Sequence, residues 1–177
     1  MNWYHEPPSW WAKENTIAIK TGPRTDFWRK THDGGIRDHG HFYYRPVTGD
    51  FMAQVKVIGH YTDLYDQAGM MVRLDEVTWM KCGIEFVHGV QHASVVVTRD
   101  WSDWSVLPLP NPLAIWLRVV RYGPTIEVYY SLDGQAYTMI RQAFLTEVPT
   151  VQVGVMAAAP TGNGFSVTFE DFSVTPT

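Results

Sequence analysis

Polar and apolar positions alternate with a period of two along most of the chain, which is the signature of strands with one buried face. The clearest stretch is Asp66–His88. It predicts two strands joined at Asp75-Glu-Val-Thr78. In the first strand Ala68, Met70, Val72 and Leu74 share one face, and in the second Met80, Cys82, Ile84 and Phe86 do. These are core faces. The opposite faces gather Gln67, Gly69, Met71 and Arg73 with Trp79, Lys81, Gly83 and Glu85. That second surface has two readings. It is a solvated face with a cross-strand Arg73–Glu85 ion pair, or it is a binding face, because glycine inside a strand marks close approach of a ligand or another backbone.

The same alternation predicts strands over Thr16–Lys20, Asp50–Ile58, Gln91–Thr98, Ala136–Arg141, Val151–Ala158 and Phe165–Val174. Val95-Val-Val97 is apolar on both faces, which suits a central strand. Leu113–Tyr122 and Thr125–Leu132 form a hairpin across Arg121-Tyr-Gly-Pro124, and a four-residue loop there sets Arg118 opposite Glu127. Asp133-Gly134 is a tight-turn signal. Phe144–Pro149 reads as a short helical turn, and residues 1–15 as an irregular terminus stapled by Trp3, Trp10 and Trp11. About a dozen strands separated by turns, with almost no helical period, predict an all-β fold: one antiparallel two-sheet sandwich over residues 1–177.

Two stretches break the pattern. Residues 25–45 are polar and aperiodic and carry His32, His39 and His41 with Asp33 and Asp38. Those residue types can ligate a metal, yet His39 and His41 share a side only if extended, and no ligand motif is present. The expectation is a surface loop whose His and Asp satisfy each other, with no metal. Arg99-Asp-Trp-Ser-Asp-Trp-Ser105 places Trp101 and Trp104 three apart in a polar-aromatic loop. Indoles beside carboxylates suit a sugar ring, with its apolar C–H faces and belt of hydroxyls. The alternative is that both indoles cap the core edge.

Composition narrows the function. The chain has 177 residues and a net charge of −4, with Lys and Arg dispersed, so no basic run tracks phosphates and nucleic acid is not expected. No apolar run is long enough to span a bilayer, and the start lacks a basic segment followed by an apolar one. No membrane contact and a cytoplasmic setting are the expectations. Cys82 stands alone on a core face, a packing residue rather than a nucleophile. No Asp/Asn-rich loop argues for a structural calcium, and no cofactor motif is present. Eight Trp fill a large β core or line a sugar or aromatic site.

Seven stretches in order carry a resemblance: Thr25-Asp-Phe-Trp-Arg-Lys-Thr31, Arg37-Asp-His-Gly-His-Phe42, Asp66-Gln-Ala-Gly-Met-Met-Val-Arg-Leu-Asp-Glu76, Trp79-Met-Lys-Cys-Gly-Ile-Glu85, Ser102-Asp-Trp-Ser105, Trp116-Leu-Arg118 and Tyr130-Ser-Leu-Asp-Gly134. With them the chain resembles the regulation-of-enolase family of concanavalin A-like domains, a family without an established activity. The resemblance implies a jelly roll with a concave and a convex sheet. In the wider lectin and glucanase superfamily the concave sheet binds sugars. By that analogy Arg73, Lys81, Glu85 and Arg118 line the concave face, and Trp28, His41, Trp101 and Trp104 form its rim. The Glu-x-Asp-x-x-Glu pattern of the laminarinase-type enzymes is absent, since the same-face neighbours of Glu85 are Gly83 and Val87.

Three functions follow, in order of preference. The first is binding of a carbohydrate or small polar ligand on the concave face without catalysis. The second is a protein-interaction domain with a protein partner. The third is a sugar-acting enzyme with Glu85 as acid or base. Arg and Lys beside Glu85 would lower its pKa, favouring a base over an acid. A paired-carboxylate hydrolase also needs a second acid within roughly 5–10 Å, which Glu127 supplies only if its hairpin adjoins.

Overall fold

Alternation closes the chain into two sheets. The computed structural model describes residues 1–177, with no helix. In chain order the strands are β1 (Asn2–Tyr4), β2 (Ser9–Lys13), β3 (Thr16–Lys20), β4 (Phe27–Arg29), β5 (Ile36–Asp38), β6 (His41–Thr48), β7 (Phe51–Gly59) and β8 (Gln67–Arg73). They continue as β9 (Thr78–Val87), β10 (Val90–Arg99), β11 (Trp101–Pro108), β12 (Ile115–Tyr122), β13 (Thr125–Ser131), β14 (Thr138–Phe144), β15 (Thr150–Ala158) and β16 (Ser166–Pro176). The first sheet runs β1-β6-β15-β8-β9-β10-β11 and the second β14-β13-β12-β7-β16-β3-β2. Strands β4 and β5 form a separate ribbon.

The expected core residues lie between the sheets. Met70, Val72, Met80, Cys82 and Ile84 of the first sheet meet Phe51, Ala53, Val55, Ile115, Leu117 and Val128 of the second in one buried cluster. Burial pushes the Cys82 thiol up to about 12, so it stays a neutral packing group. Val95 and Val97 join that cluster, while Val96 faces the other way into a second one.

Three expectations are corrected. The N-terminus is not irregular, because β1 and β2 pair onto β6 and β3. Trp3 and Trp10 do staple it, packing on Tyr43 at 4.7 and 5.3 Å between ring centroids, but Trp11 is exposed. Residues 101–108, read as starting in a loop, are an edge strand. The Phe144–Pro149 segment contains no helical turn. Arg121, buried under it, donates to the carbonyls of Thr146, Val148 and Pro149 and holds the segment in place.

The second cluster decides the character of the first sheet's outer face. Phe42, Met71, Trp79, Val96, Met156 and Ala158 point away from the inter-sheet core and are covered by Phe27 of the ribbon. The aperiodic segment is thus a plug laid on the sheet.

Candidate functional site

The β8–β9 register pairs Gln67 with Glu85, Gly69 with Gly83, Met71 with Lys81 and Arg73 with Trp79. Arg73 and Glu85 therefore sit at opposite ends of the hairpin, about 20 Å apart along the strands at ~3.3 Å per residue. The expected ion pair between them does not form. Nor is the face solvated: Arg73, Lys81 and Glu85 are only 3%, 6% and 8% exposed.

Arg73 belongs to the closed end. It grips Asp38 with both guanidinium nitrogens, at 2.7 and 2.9 Å, and donates to the Tyr4 hydroxyl at 3.2 Å. Tyr4 donates in turn to Asp38 at 2.7 Å, and the guanidinium lies 4.4 Å over the Tyr4 ring. One arginine thus ties β1, β5 and β8 together. Phe27 is fully buried beside it, and Gly40 is required, because a Cβ there would fall 2.3 Å from the Phe27 ring. Trp28 was expected at the rim. Its indole instead packs against this buried cluster, with Nε1 donating to the Thr31 carbonyl at 2.7 Å.

Lys81 anchors the middle. Its ammonium donates to the Phe27 carbonyl at 2.6 Å and to Gln67 Oε1 at 2.5 Å, and faces Asp26 Oδ1 at 3.6 Å. Lys81 therefore has little left to offer a ligand.

Glu85 belongs to the open end. Its Oε2 accepts from Ser94 Oγ at 2.8 Å and from Trp104 Nε1 at 2.9 Å. Its Oε1 has no protein donor. Trp104 is 42% exposed, and Tyr65 stands edge-on to it at 6.3 Å. Between Gln67, Lys81, Gly83, Glu85, Ser94 and Met156 lies a pit of about 10 Å³, room for one water-sized group. The glycine floor has a backbone cause. A Cβ on Gly69 would lie 1.9 Å from the Cys82 carbonyl oxygen, and one on Gly83 2.0 Å from that of Ala68. Burial raises the Glu85 carboxyl above the ordinary carboxylate range, against the pull of Lys81 and the Ser94 and Trp104 hydrogen bonds. This reverses the expected sign, because desolvation outweighs the single nearby cation and Arg73 is remote.

The remaining candidates lie elsewhere. His41 is buried, its Nε2 accepting from the Gly22 N–H at 2.9 Å and its Nδ1 2.8 Å from the His5 carbonyl. That arrangement fixes the neutral tautomer with the proton on Nδ1, and burial lowers its pKa. Trp101 and Trp104, three apart in β11, point to opposite faces, so they do not stack. Trp101 is 57% exposed with the Lys30 ammonium 5.5 Å over its ring. Arg118 lies in the second sheet, bonded to Gln54 Oε1 and 3.8 Å over the Tyr137 ring, so it does not share a face with Arg73, Lys81 and Glu85. It pairs with Tyr129, since the hairpin turn is two residues shorter than expected and Val120 faces Glu127. Glu127 accepts from Tyr129 and Gln142 in that same sheet, so it supplies no second acid to Glu85.

The His and Asp of residues 25–45 do not satisfy one another. Asp33 takes Arg37, Asp38 takes Arg73, and His39 Nδ1 accepts from the Asp26 N–H. No group of three or more His, Cys, Asp or Glu is placed to hold a metal ion. Sequence reasoning missed Asp26, Tyr65 and Ser94, and set Gln67 on the candidate face without giving it a role. Gln67 carried a signal, since it shares the parity of Arg73; for Ser94 the signal was its parity with Val96.

Known proteins resemble this chain in sequence and in fold. It is 38% identical over 174 residues to "Regulation of enolase protein 1" of Saccharomyces cerevisiae, covering 98% of this chain and 88% of that one. A crystal structure of a functionally unknown protein from S. cerevisiae superposes with a TM-score of 0.96 at 37% identity, over 99% of this chain and 96% of that one. At the level of fold alone, the carbohydrate-binding module CBM66 from Bacillus subtilis matches with a TM-score of 0.59 and 10% identity, over 97% and 94% of the two chains. The GH43 protein BlXynB from Bacillus licheniformis matches with a TM-score of 0.71 and 19% identity, over 97% of this chain but 36% of its own. The family model described as "Protein of unknown function (DUF1349)" matches residues 3–177, and the chain belongs to that family.

Proposed function

We propose that the Trp104–Glu85 corner binds a carbohydrate or small polar ligand without catalysing a reaction on it. One observation carries the reading: a partly exposed indole is locked in place by donating its N–H to a buried carboxylate, beside a pit with a free acceptor. An apolar plate next to a fixed polar group matches the two surfaces of a sugar ring. A neighbour in fold carries the name of a carbohydrate-binding module, which supports the reading at the level of architecture. Against hydrolysis, the acid beyond Lys81 is Asp26, a residue of the plug, whose Oδ1 accepts from the Phe27 N–H at 2.8 Å and faces the Lys81 ammonium at 3.6 Å. A cation held against that acid disfavours its pairing with Glu85, which supports binding over hydrolysis.

A protein partner is the second reading. Edge strand β11 exposes Trp101, Val106 and Leu107 beside its unpaired backbone, and sheet edges accept strands from other chains. The relative named for enolase regulation fits that reading.

The test is a thermal-shift screen of neutral oligosaccharides and polar metabolites, followed by titration calorimetry. A ligand at a hundredfold excess over its Kd stabilises the fold by about 2.7 kcal/mol. Trp104→Ala is expected to weaken the hit at least tenfold, and Arg118→Ala to leave it unchanged. A hit bound equally by Trp104→Ala sinks the assignment.

A further inference from the structure

We infer that the corner reads the end of a neutral glycan: a terminal sugar lies on the Trp104 indole and drops one hydroxyl into the pit, donating to Glu85 Oε1. The inference rests on the carbohydrate reading above and adds which part of the chain is bound.

The hydrogen-bond inventory sets the chemistry of the seated group. Ser94 and Trp104 both donate to Oε2 of Glu85, which leaves Oε1 as a vacant acceptor. The Lys81 ammonium, the one cation lining the pit, is already engaged by the Phe27 carbonyl and Gln67 Oε1. The pit therefore asks for a donor. A hydroxyl meets that demand. A carboxylate or phosphate does not, because it would face Glu85 with no free cation to offset it.

Space sets the position along the glycan. The pit admits one water-sized group. On the side towards β8, β15 and β6, the ground a polymer would cross is filled by Phe27, Met71, Met156 and Phe42, all buried. Two sets of contacts keep that ground closed: Lys81 on the Phe27 carbonyl, and Arg73 on Asp38. A chain laid across the sheet would have to displace the plug. A chain that ends at Glu85 need not, because the rest of it leaves over the exposed edge strand β11. An internal sugar also surrenders one hydroxyl to its next linkage, and the linking oxygen carries no proton to donate.

The test counts ends. Amylose, xylan and inulin are titrated into the protein at known mass concentration, each intact and after partial hydrolysis to one tenth of its chain length. For a glycan that binds, the half-saturating mass concentration is expected to fall about tenfold on hydrolysis, with one protein bound per chain end and the binding lost in Trp104→Ala. An unchanged half-saturating mass, or several proteins per chain, means interior binding; it overturns the end-on inference and leaves the carbohydrate reading standing. Equal binding by Trp104→Ala overturns the site. Absence of binding by all six preparations counts against both.

Discussion

Glu85 and His41 are both buried, titratable and hydrogen-bonded, and burial drives them in opposite directions. The Glu85 carboxyl is raised, so the native state holds its proton more tightly than the unfolded chain does. Its contribution to stability is full below the ordinary glutamate pKa and is lost as pH rises through the folded value. Glu85→Gln is expected to remove that loss, giving a melting temperature above the parent's at neutral pH while weakening ligand binding at least tenfold. Melting curves from pH 4 to 8 check it; a variant that melts in parallel with the parent contradicts it. The His41 imidazole is lowered, so its contribution is present above about 6.5 and is lost as pH falls, when a second ring proton would expel the Gly22 N–H. His41→Ala is expected to cost about 1–3 kcal/mol and to flatten that acid limb. Arg73 shows how residue type misleads. Its charge suggested a ligand, but its geometry is that of a clamp on Asp38. Arg73→Ala takes the cation from Asp38, leaving it the Tyr4 hydroxyl, and is expected to destabilise by about 3 kcal/mol, the low end for breaking a buried pair. Denaturant unfolding reads it.

At the scale of the element, the β8–β9 hairpin was legible almost to the residue, because parity alone separates Met70, Val72, Met80 and Ile84 from Gln67, Arg73, Lys81 and Glu85. Register was not legible in the same way. Placing Arg73 against Glu85 requires knowing where pairing starts, and parity cannot supply that. The same gap misplaced Arg118 against Glu127, where a two-residue turn at Gly123-Pro124 shifts the pairing by one dyad. Strand β11 escaped because Trp, Ser and Asp in alternation look like loop composition, although three-residue spacing on a strand sends the two indoles to opposite faces. The paired glycines were correctly singled out for close approach, and the approaching group is the neighbouring backbone. Gly83→Ala is therefore expected to strain the hairpin and destabilise by about 2–4 kcal/mol, measured by chemical denaturation. A variant as stable as the parent would show that the strands part cheaply.

For the whole molecule, the sandwich could be read from strand count and turn spacing, but the plug could not. Residues 25–40 lack periodicity because they pack as a small layer over one sheet, and Phe27 enters its pocket through tertiary contact with Trp79 and Phe42. That layer converts the middle of an open sheet face into a buried one and leaves the Trp104–Glu85 corner outside it. The indole N–H of Trp104 reports directly on that corner. Its proton resonance, assigned by loss of the signal in Trp104→Phe, is followed during titration with neutral oligosaccharides. The expected result is a saturable shift of that resonance at the concentration where calorimetry reports binding. Heat of binding with the Trp104 resonance unmoved would place the ligand elsewhere and rule out the Trp104–Glu85 corner as its site.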